Sequence, residues 1–297
     1  MSFEITTAFV EQYGSNVEFL VQQKGSRLRD CVALETGIRG KTAYFDQIGA
    51  VAARKVTQRH GDSPLNSTPH ARRRVAMHDY ETGDLIDDLD RLKTLIDPTS
   101  SYAQAHAWAM GRGIDDEIIN AAFGTAYAGE DGSTQISFPA GQQVAVNSWA
   151  FGTGTGDSGL TISKLIEAKV LLDSADVDPD EERYIAVTAQ QLGDLLQTTE
   201  ATSQDFNSVK ALVEGRIDTF MGFRFKRLER LLVNGSSHRR VIAWAKSGIK
   251  LGIGQDIRAQ IAPRPDKRFS QYAYFAMSIG ATRMQEDKVV EIVCDEP

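Results

Sequence analysis

The sequence predicts an α+β protein. Three observations point there: a long two-stranded hairpin with no core of its own, one long alanine-rich helix, and a strand-rich C-terminal part.

At the N-terminus, Phe9, Val10, Tyr13, Val17, Leu20 and Val21 recur at helical spacing within Thr7–Leu28. Glu11, Gln12, Glu18 and Gln22 fall between them, so an amphipathic helix is expected, with Gly14 as its weak point and an end near Gly25. The hairpin follows between Lys41 and Asp90. Its strand-like runs, Lys41–Gly49 and Arg72–Tyr80, flank a polar tip carrying Gly61, Asp62, Ser63, Pro64 and Asn66. Charge is segregated along it: six cations face one acid from Arg54 to Arg74, and seven acids face two cations from Asp79 to Asp97. A lone hairpin is marginal in water, so the opposed charge blocks imply that another copy of the chain covers it.

The clearest helix opens at Asp97-Pro98, a good N-cap followed by a proline that loses nothing in the first turn. Tyr102, Ala105, Ala109, Ile114, Ile118, Ala122 and Phe123 form its apolar stripe. Continued to Gly124 it would span about 40 Å, with Gly111 and Gly113 as places where it could bend. Short strands are expected at Gln135–Phe138 and Gln143–Val146, and a second helix at Thr161–Leu172. The acidic turn Asp176–Glu182 leads to a strand at Tyr184–Val187 and a helix at Gln190–Leu196. A helix-to-strand unit covers Val209–Leu228, turning at Gly222. Strands at Val241–Ala245, Ile249–Ile253, Tyr272–Ile279 and Val289–Cys294 complete the chain. In the last, Val290, Ile292 and Cys294 alternate with Glu291 and Asp295, the pattern of a half-buried strand.

Composition excludes several classes. The chain has 297 residues, a formal charge of −7, 41% apolar and 25% charged residues, which fits a globular protein rather than a disordered one. The net charge makes the whole molecule no magnet for nucleic acid. Its only cysteines, Cys31 and Cys294, read as two reduced thiols of a cytosolic protein. No run is long and apolar enough to predict a membrane span, and the N-terminus lacks the pattern of a signal peptide.

The search for chemistry is mostly negative. Gly154–Gly159 followed by Thr161 resembles a phosphate-cradling loop, but Leu160 stands where the lysine belongs. Gly156-Asp157-Ser158-Gly159 resembles a serine-nucleophile loop, yet His106 sits in an alanine-rich helix. Asp176, Asp178 and Asp180 alternate as in a calcium loop, with Glu181 at the required glycine and Val187 at the required glutamate. Asp84, Asp87, Asp88 and Asp90 read as a solvated or partner-facing acidic surface. Neither a catalytic residue nor a cofactor or metal site is predicted.

Several phrases are similar to one branch of the major capsid proteins of tailed bacteriophages. They are Phe9-Val-Glu-Gln-Tyr13, Gln23-Lys-Gly-Ser-Arg27, Tyr44-Phe-Asp-Gln-Ile-Gly49, Thr68-Pro-His-Ala-Arg72, Asp97-Pro-Thr99, Ala109-Met-Gly-Arg112, Val209-Lys-Ala-Leu-Val-Glu-Gly215 and Thr219-Phe-Met-Gly-Phe223. The order of elements also resembles that family's Hong Kong 97-like, or Johnson, fold. The resemblance implies an N-arm (1–37), an extended E-loop (38–90), a P-domain with its spine helix (91–182), an A-domain (183–248) and return strands (249–297). It implies self-assembly into hexamers and pentamers of an icosahedral shell around double-stranded DNA held without sequence-specific contacts, and no enzymatic role. A portal protein is an expected partner, with a decoration protein and a separate scaffolding protein as further candidates, since the sequence leaves no room for a long N-terminal scaffolding segment. The protein would reside in the virion after assembly in a bacterial cytoplasm.

On this reading the E-loop lies across a neighbouring subunit and buries Tyr44, Phe45 and Ile48 there. Arg54, Lys55, Arg59, Arg72, Arg73 and Arg74 would pair with acids of adjacent copies, Asp79, Glu81, Asp84, Asp87 and Asp88 being the candidates. Two alternatives are an encapsulin-like protein compartment shell and a soluble nucleotide-binding enzyme built on the Gly152–Gly159 loop.

Overall fold

The computed structural model describes residues 22–55, 65–86, 99–197 and 219–296. The helix expected over Thr7–Val21, the hairpin tip and the helix expected from Val209 therefore lie outside the described residues. Residues 22–28, expected as the helix end, are not helical.

Strand β1 (Ala33–Thr36) precedes the hairpin β2 (Thr42–Ile48) and β3 (His70–Ala76), and β4 (His78–Ile86) follows after a break at Met77. Helix α1 spans Thr99–Phe123. Short strands β5 (Ala126–Ala128), β6 (Thr134–Ile136) and β7 (Gln143–Val144) lead to α2 (Ile162–Ser174), β8 (Arg183–Val187) and α3 (Ala189–Gln197). Then come β9 (Thr219–Phe220), β10 (Phe223–Arg227), β11 (Arg239–Ala245), β12 (Ile249–Pro263), β13 (Gln271–Arg283) and β14 (Val289–Cys294). They form three sheets, ordered β1-β12-β13-β4, β7-β14-β11-β8-β10-β9 and β2-β3-β5-β6.

The chain divides into two compact units. One comprises Met1–Ser26, Asp79–Ile114 and Gln255–Ser278. Within it, Ala273, Phe275 and Met277 of β13 are buried while their neighbours are half-exposed, as strand alternation requires. His106 of α1 stacks on Phe275 at 5.7 Å and shares a 2.9 Å hydrogen bond with Thr82 of β4. The helix runs unbroken through Gly111 and Gly113. Gly111 serves close packing instead of a bend, because a Cβ there would stand 2.6 Å from the backbone of Gly25. Beside it, Arg112 donates to Gln22 Oε1 and Gln23 O, both at 3.1 Å.

The other unit comprises Arg27–His78, Asp115–Gly254 and Ile279–Pro297. Its six-stranded sheet is mixed: β11 runs antiparallel to β8 and β14, while β10 and β7 run parallel to β8 and β14. The β9–β10 turn falls at Met221-Gly222, both with positive φ, the geometry of a tight hairpin turn. Every residue of β8 and β14 is buried. That corrects the half-buried reading of β14: Glu291 is 2% exposed because Arg240 meets it with two nitrogens, at 2.5 and 3.0 Å. Helix α2 is capped by the Thr161 side chain, which accepts from Lys164 N, and packs against β14, with Leu165, Ala168 and Leu172 buried. The expected stripe is thus rotated, leaving Val170 46% exposed. Asp115, fully buried, accepts the backbone N–H groups of Arg27 and Leu28 at 3.0–3.1 Å and so pins the chain where it enters this unit.

The largest departure from expectation is the length of β12 and β13. Only Ile249–Ile253 and Tyr272–Ile279 carry apolar strand patterns; the residues after Gly254 in β12 are mostly exposed and polar, which leaves no periodic signal. The turn between them is tied by Arg264 N–H to Ser270 O at 2.9 Å, with Arg268 and Phe269 in left-handed backbone.

The root of the hairpin rests on two glycines of this unit. A Cβ at Gly280 would lie 2.1 Å from Ala76 O, and one at Gly252 would lie 2.5 Å from Ile38 Cδ1. Gly280→Val is expected to displace β3 and cost about 1–3 kcal/mol in a urea melt of the unassembled chain. Gly235→Ala, whose Cβ would meet open space, is the control.

Both thiols are buried, and burial raises Cys31 to about 11 and Cys294 to about 12 from 9.0. A raised thiol contributes stability that is whole below pH 9 and lost as pH rises toward 11–12. Replacing both by alanine should therefore flatten the alkaline fall of stability in that window; an unchanged slope in pH-dependent melts would refute it.

Candidate functional site

Strand geometry divides the hairpin into two faces. In β2 and β3, Thr42 pairs with Ala76 and Ile48 with His70, so Tyr44 faces Arg74, Phe45 faces Arg73 and Asp46 faces Arg72. Alternation sends Ala43, Phe45, Gln47, Arg73 and Val75 to one face and Tyr44, Asp46, Ile48, Arg72 and Arg74 to the other.

The first face is covered by the chain itself. Phe45 is 7% exposed, in a cluster with Val75 and Met284 flanked by Ile38, Ala43 and Met77. Lys250 Nζ lies over its ring at 4.2 Å. Arg73, also 7% exposed, donates through Nε to Met284 O at 2.9 Å and pairs with Glu286 at 2.6 Å. Gln47 donates to the same carbonyl at 2.9 Å. The expectation that Phe45 and Arg73 reach a neighbouring copy is corrected: both are spent inside their own chain. The signal was available, because adjacent strand residues such as Tyr44 and Phe45 cannot share a face. Glu286, Met284 and Lys250 were not legible as arm partners, since they lie about 200 positions away in sequence.

The second face is partly occupied. Arg72 pairs with Asp46 at 2.6 Å across the strands and lies over the Tyr44 ring at 5.6 Å. That hydrogen bond holds the Asp46 carboxyl below its ordinary range. Arg74 stacks on Tyr127 at 4.6 Å, where Gly132 leaves room for its stem. Tyr44 donates to Asp131 O at 3.2 Å and keeps 42% exposure. These arginines are therefore presented as paired groups, not as free charges.

Beyond the ladder, ties among the described residues are Gly49 N–H to Pro69 O at 2.8 Å and Asn66 to Ala52 O at 3.3 Å. From the last ladder pair outward the apolar side chains are bare: Ile48 72%, Val51 50% and Leu65 101% exposed. Arg54 and Lys55 are exposed without an ion pair among the described residues, and Arg59 lies outside them. On β4, Asp79, Glu81 and Asp84 are exposed; Glu81 accepts from Tyr274 Oη at 3.0 Å, and Asp84 accepts from Leu85 N. Asp87 and Asp88 are outside the described residues.

The glycine-rich loop has the wrong polarity for phosphate. Its carbonyls converge on the buried Lys164 ammonium, which donates to Ser158 O at 2.6 Å, Gly159 O at 3.1 Å and Val293 O at 3.0 Å. Trp149 donates to Gly156 O and packs on Gly154, closing the loop further. In the acidic turn, Asp178 Oδ1 accepts from Asp180 N at 2.9 Å, as in an ordinary capped turn.

The described chain resembles solved phage shells along nearly its whole length. The capsid of cyanophage P-SCSP1u matches with a TM-score of 0.73 at 16% identity, over 99% of this chain and 95% of that one. The head of Helicobacter pylori bacteriophage KHP40 matches with 0.72 at 8% identity, over 99% and 98%. The capsid of Ralstonia phage GP4 matches with 0.71 at 11% identity, over 97% and 96%. The fold is thus the Hong Kong 97-like capsid fold. No curated protein sequence matches the chain significantly. The model of the phage capsid protein family matches residues 5–296, so the chain belongs to that family.

Proposed function

We propose that the chain is the major capsid protein of a phage head and that its hairpin arm is the principal bond between copies. The observation that carries this reading is the bare apolar outer arm, Ile48, Val51 and Leu65, on a hairpin whose other face the chain already fills. Fully burying an aliphatic side chain yields about 1.5–3 kcal/mol, so three such residues per arm, repeated around a shell, outweigh exposed ion pairs at about 0.2–1 kcal/mol each. Arg54 and Lys55 then steer the arm toward acidic surface on the adjacent copy, with Asp79 and Asp84 as candidate partners.

In this reading the E-loop covers 38–90. The A-domain is the six-stranded sheet with α2 and α3, which moves α2 and β14 out of the boundaries expected at 91–182 and 249–297. The P-domain takes the first part of α1, β4 and the outer parts of β12 and β13. Copies form hexamers and pentamers that close an icosahedral shell around double-stranded DNA, assembled in the host cytoplasm, with a portal protein at one vertex. The role is structural rather than enzymatic. A scaffolding protein and a decoration protein are further candidate partners of the shell.

Electron microscopy of the purified chain tests the reading, with closed shells expected and small oligomers alone contrary to it. Ile48→Asp and Leu65→Asp should abolish shells while leaving the melting temperature of the unassembled chain within a degree or two, because both sites are exposed. Reversing Arg54 and Lys55 to glutamate should raise the concentration needed for assembly about fivefold, the equivalent of two surface pairs.

A further inference from the structure

The charges at the root of the arm do not balance. Arg73 comes from the arm, whereas Arg283, fully buried, and Glu286 come from the segment beneath it. Glu286 Oε2 accepts from Arg73 Nη2 at 2.6 Å. Its other oxygen lies 3.6 Å from Arg283 Nε and has no hydrogen-bond partner. Arg73 Nη1 and Arg283 Nε are likewise buried without an acceptor. Arg283 cannot shift to improve the geometry, since Nη1 donates to Ala122 O at 2.8 Å and Gly124 O at 2.9 Å, and Nη2 to Ile136 O at 3.2 Å. One carboxylate therefore stands between two cations and is fully engaged by only one of them.

We propose that Glu286 is a two-position latch that regulates the angle of the arm. With the arm seated, Glu286 holds Arg73; with the arm lifted, its free oxygen closes on Arg283 Nε. Breaking a buried ion pair is ordinarily costly because it strands a charge. Here a second cation already stands 3.6 Å from the unengaged oxygen, so lifting the arm leaves the Glu286 carboxylate with a partner. What still resists is local: the β3–β5 ladder at Arg73–Ala128 and Arg74–Tyr127, the Tyr44 hydrogen bond to Asp131 O, the two hydrogen bonds to Met284 O, and the packing of Phe45 and Val75 on Met284 and under Lys250. The arm is thereby held firmly enough to have a defined angle and loosely enough to be re-set when a neighbouring copy takes hold of its outer half. This rests on reading the arm as the assembly surface and adds how that surface is controlled.

Hydrogen exchange on the full-length, unassembled chain tests the latch without requiring assembly. In Arg73→Gln, the amides of β2 and β3 should exchange about tenfold faster. Those of β8, β11 and β14 should keep wild-type protection, because Glu286 closes on Arg283. In Glu286→Gln the arm amides should accelerate similarly, and β11 and β14 should also lose protection, because Arg283 then has no carboxylate partner among the described residues. Arg73→Lys should restore part of the arm protection. Equal losses in the body for both glutamine variants, or unchanged arm exchange in Arg73→Gln, would overturn the proposal. Wild-type chain that forms closed shells while the exchange pattern fails would sink the latch alone; wild-type chain that forms none would sink the assembly reading and leave the exchange result standing.

Discussion

A two-stranded hairpin has two faces, and among the described residues this chain buries only one of them. The fold depends on that constraint. Phe45, Arg73 and Val75 look inward because β2 and β3 alternate, and the cluster around Met284 with the glycine floor of Gly252 and Gly280 receives them. The outward face, with Tyr44, Ile48, Arg72 and Arg74, is left to polar pairing and to solvent. A hairpin so divided is anchored at its root and carries exposed apolar side chains toward its outer end.

Inside the body, charged side chains do much of the joining that apolar packing cannot specify. Asp115 gathers backbone N–H groups of the entering chain, Lys164 gathers carbonyls of the glycine-rich loop, and Arg283 gathers carbonyls from the end of α1 and from β6. Each ties non-repetitive backbone to a regular element, and each is buried, so its donors or acceptors must be met within the protein. The root of the arm uses the same device with one carboxylate too few. That shortage separates a movable joint from a fixed one.

Much of the architecture was legible in the chain. The long helix, the strand at Arg183–Val187 and the C-terminal strand fall within a few residues of expectation, because each carries a strong periodic signal; the hairpin's second run, expected over Arg72–Tyr80, instead breaks at Met77, and its last residues join β4 in another sheet. The outer part of β12 was not legible: exposed strand residues are chosen by solvent and carry no apolar period. The arginine run of the arm was misread for a related reason. Charge counts along a sequence do not report which face a residue takes, and Arg73, flanked by two outward arginines, is the buried one.

Alone, the sequence determined the class of the fold, the order of its elements and the existence of an extended arm, since these follow from local periodicity, capping and turn chemistry. Tertiary structure decided which arm residues are buried in the chain's own body and which stay exposed. It also decided that Glu286 and Arg283 belong to the arm's root. Those assignments depend on contacts between residues some two hundred positions apart, and no local pattern encodes a contact of that range.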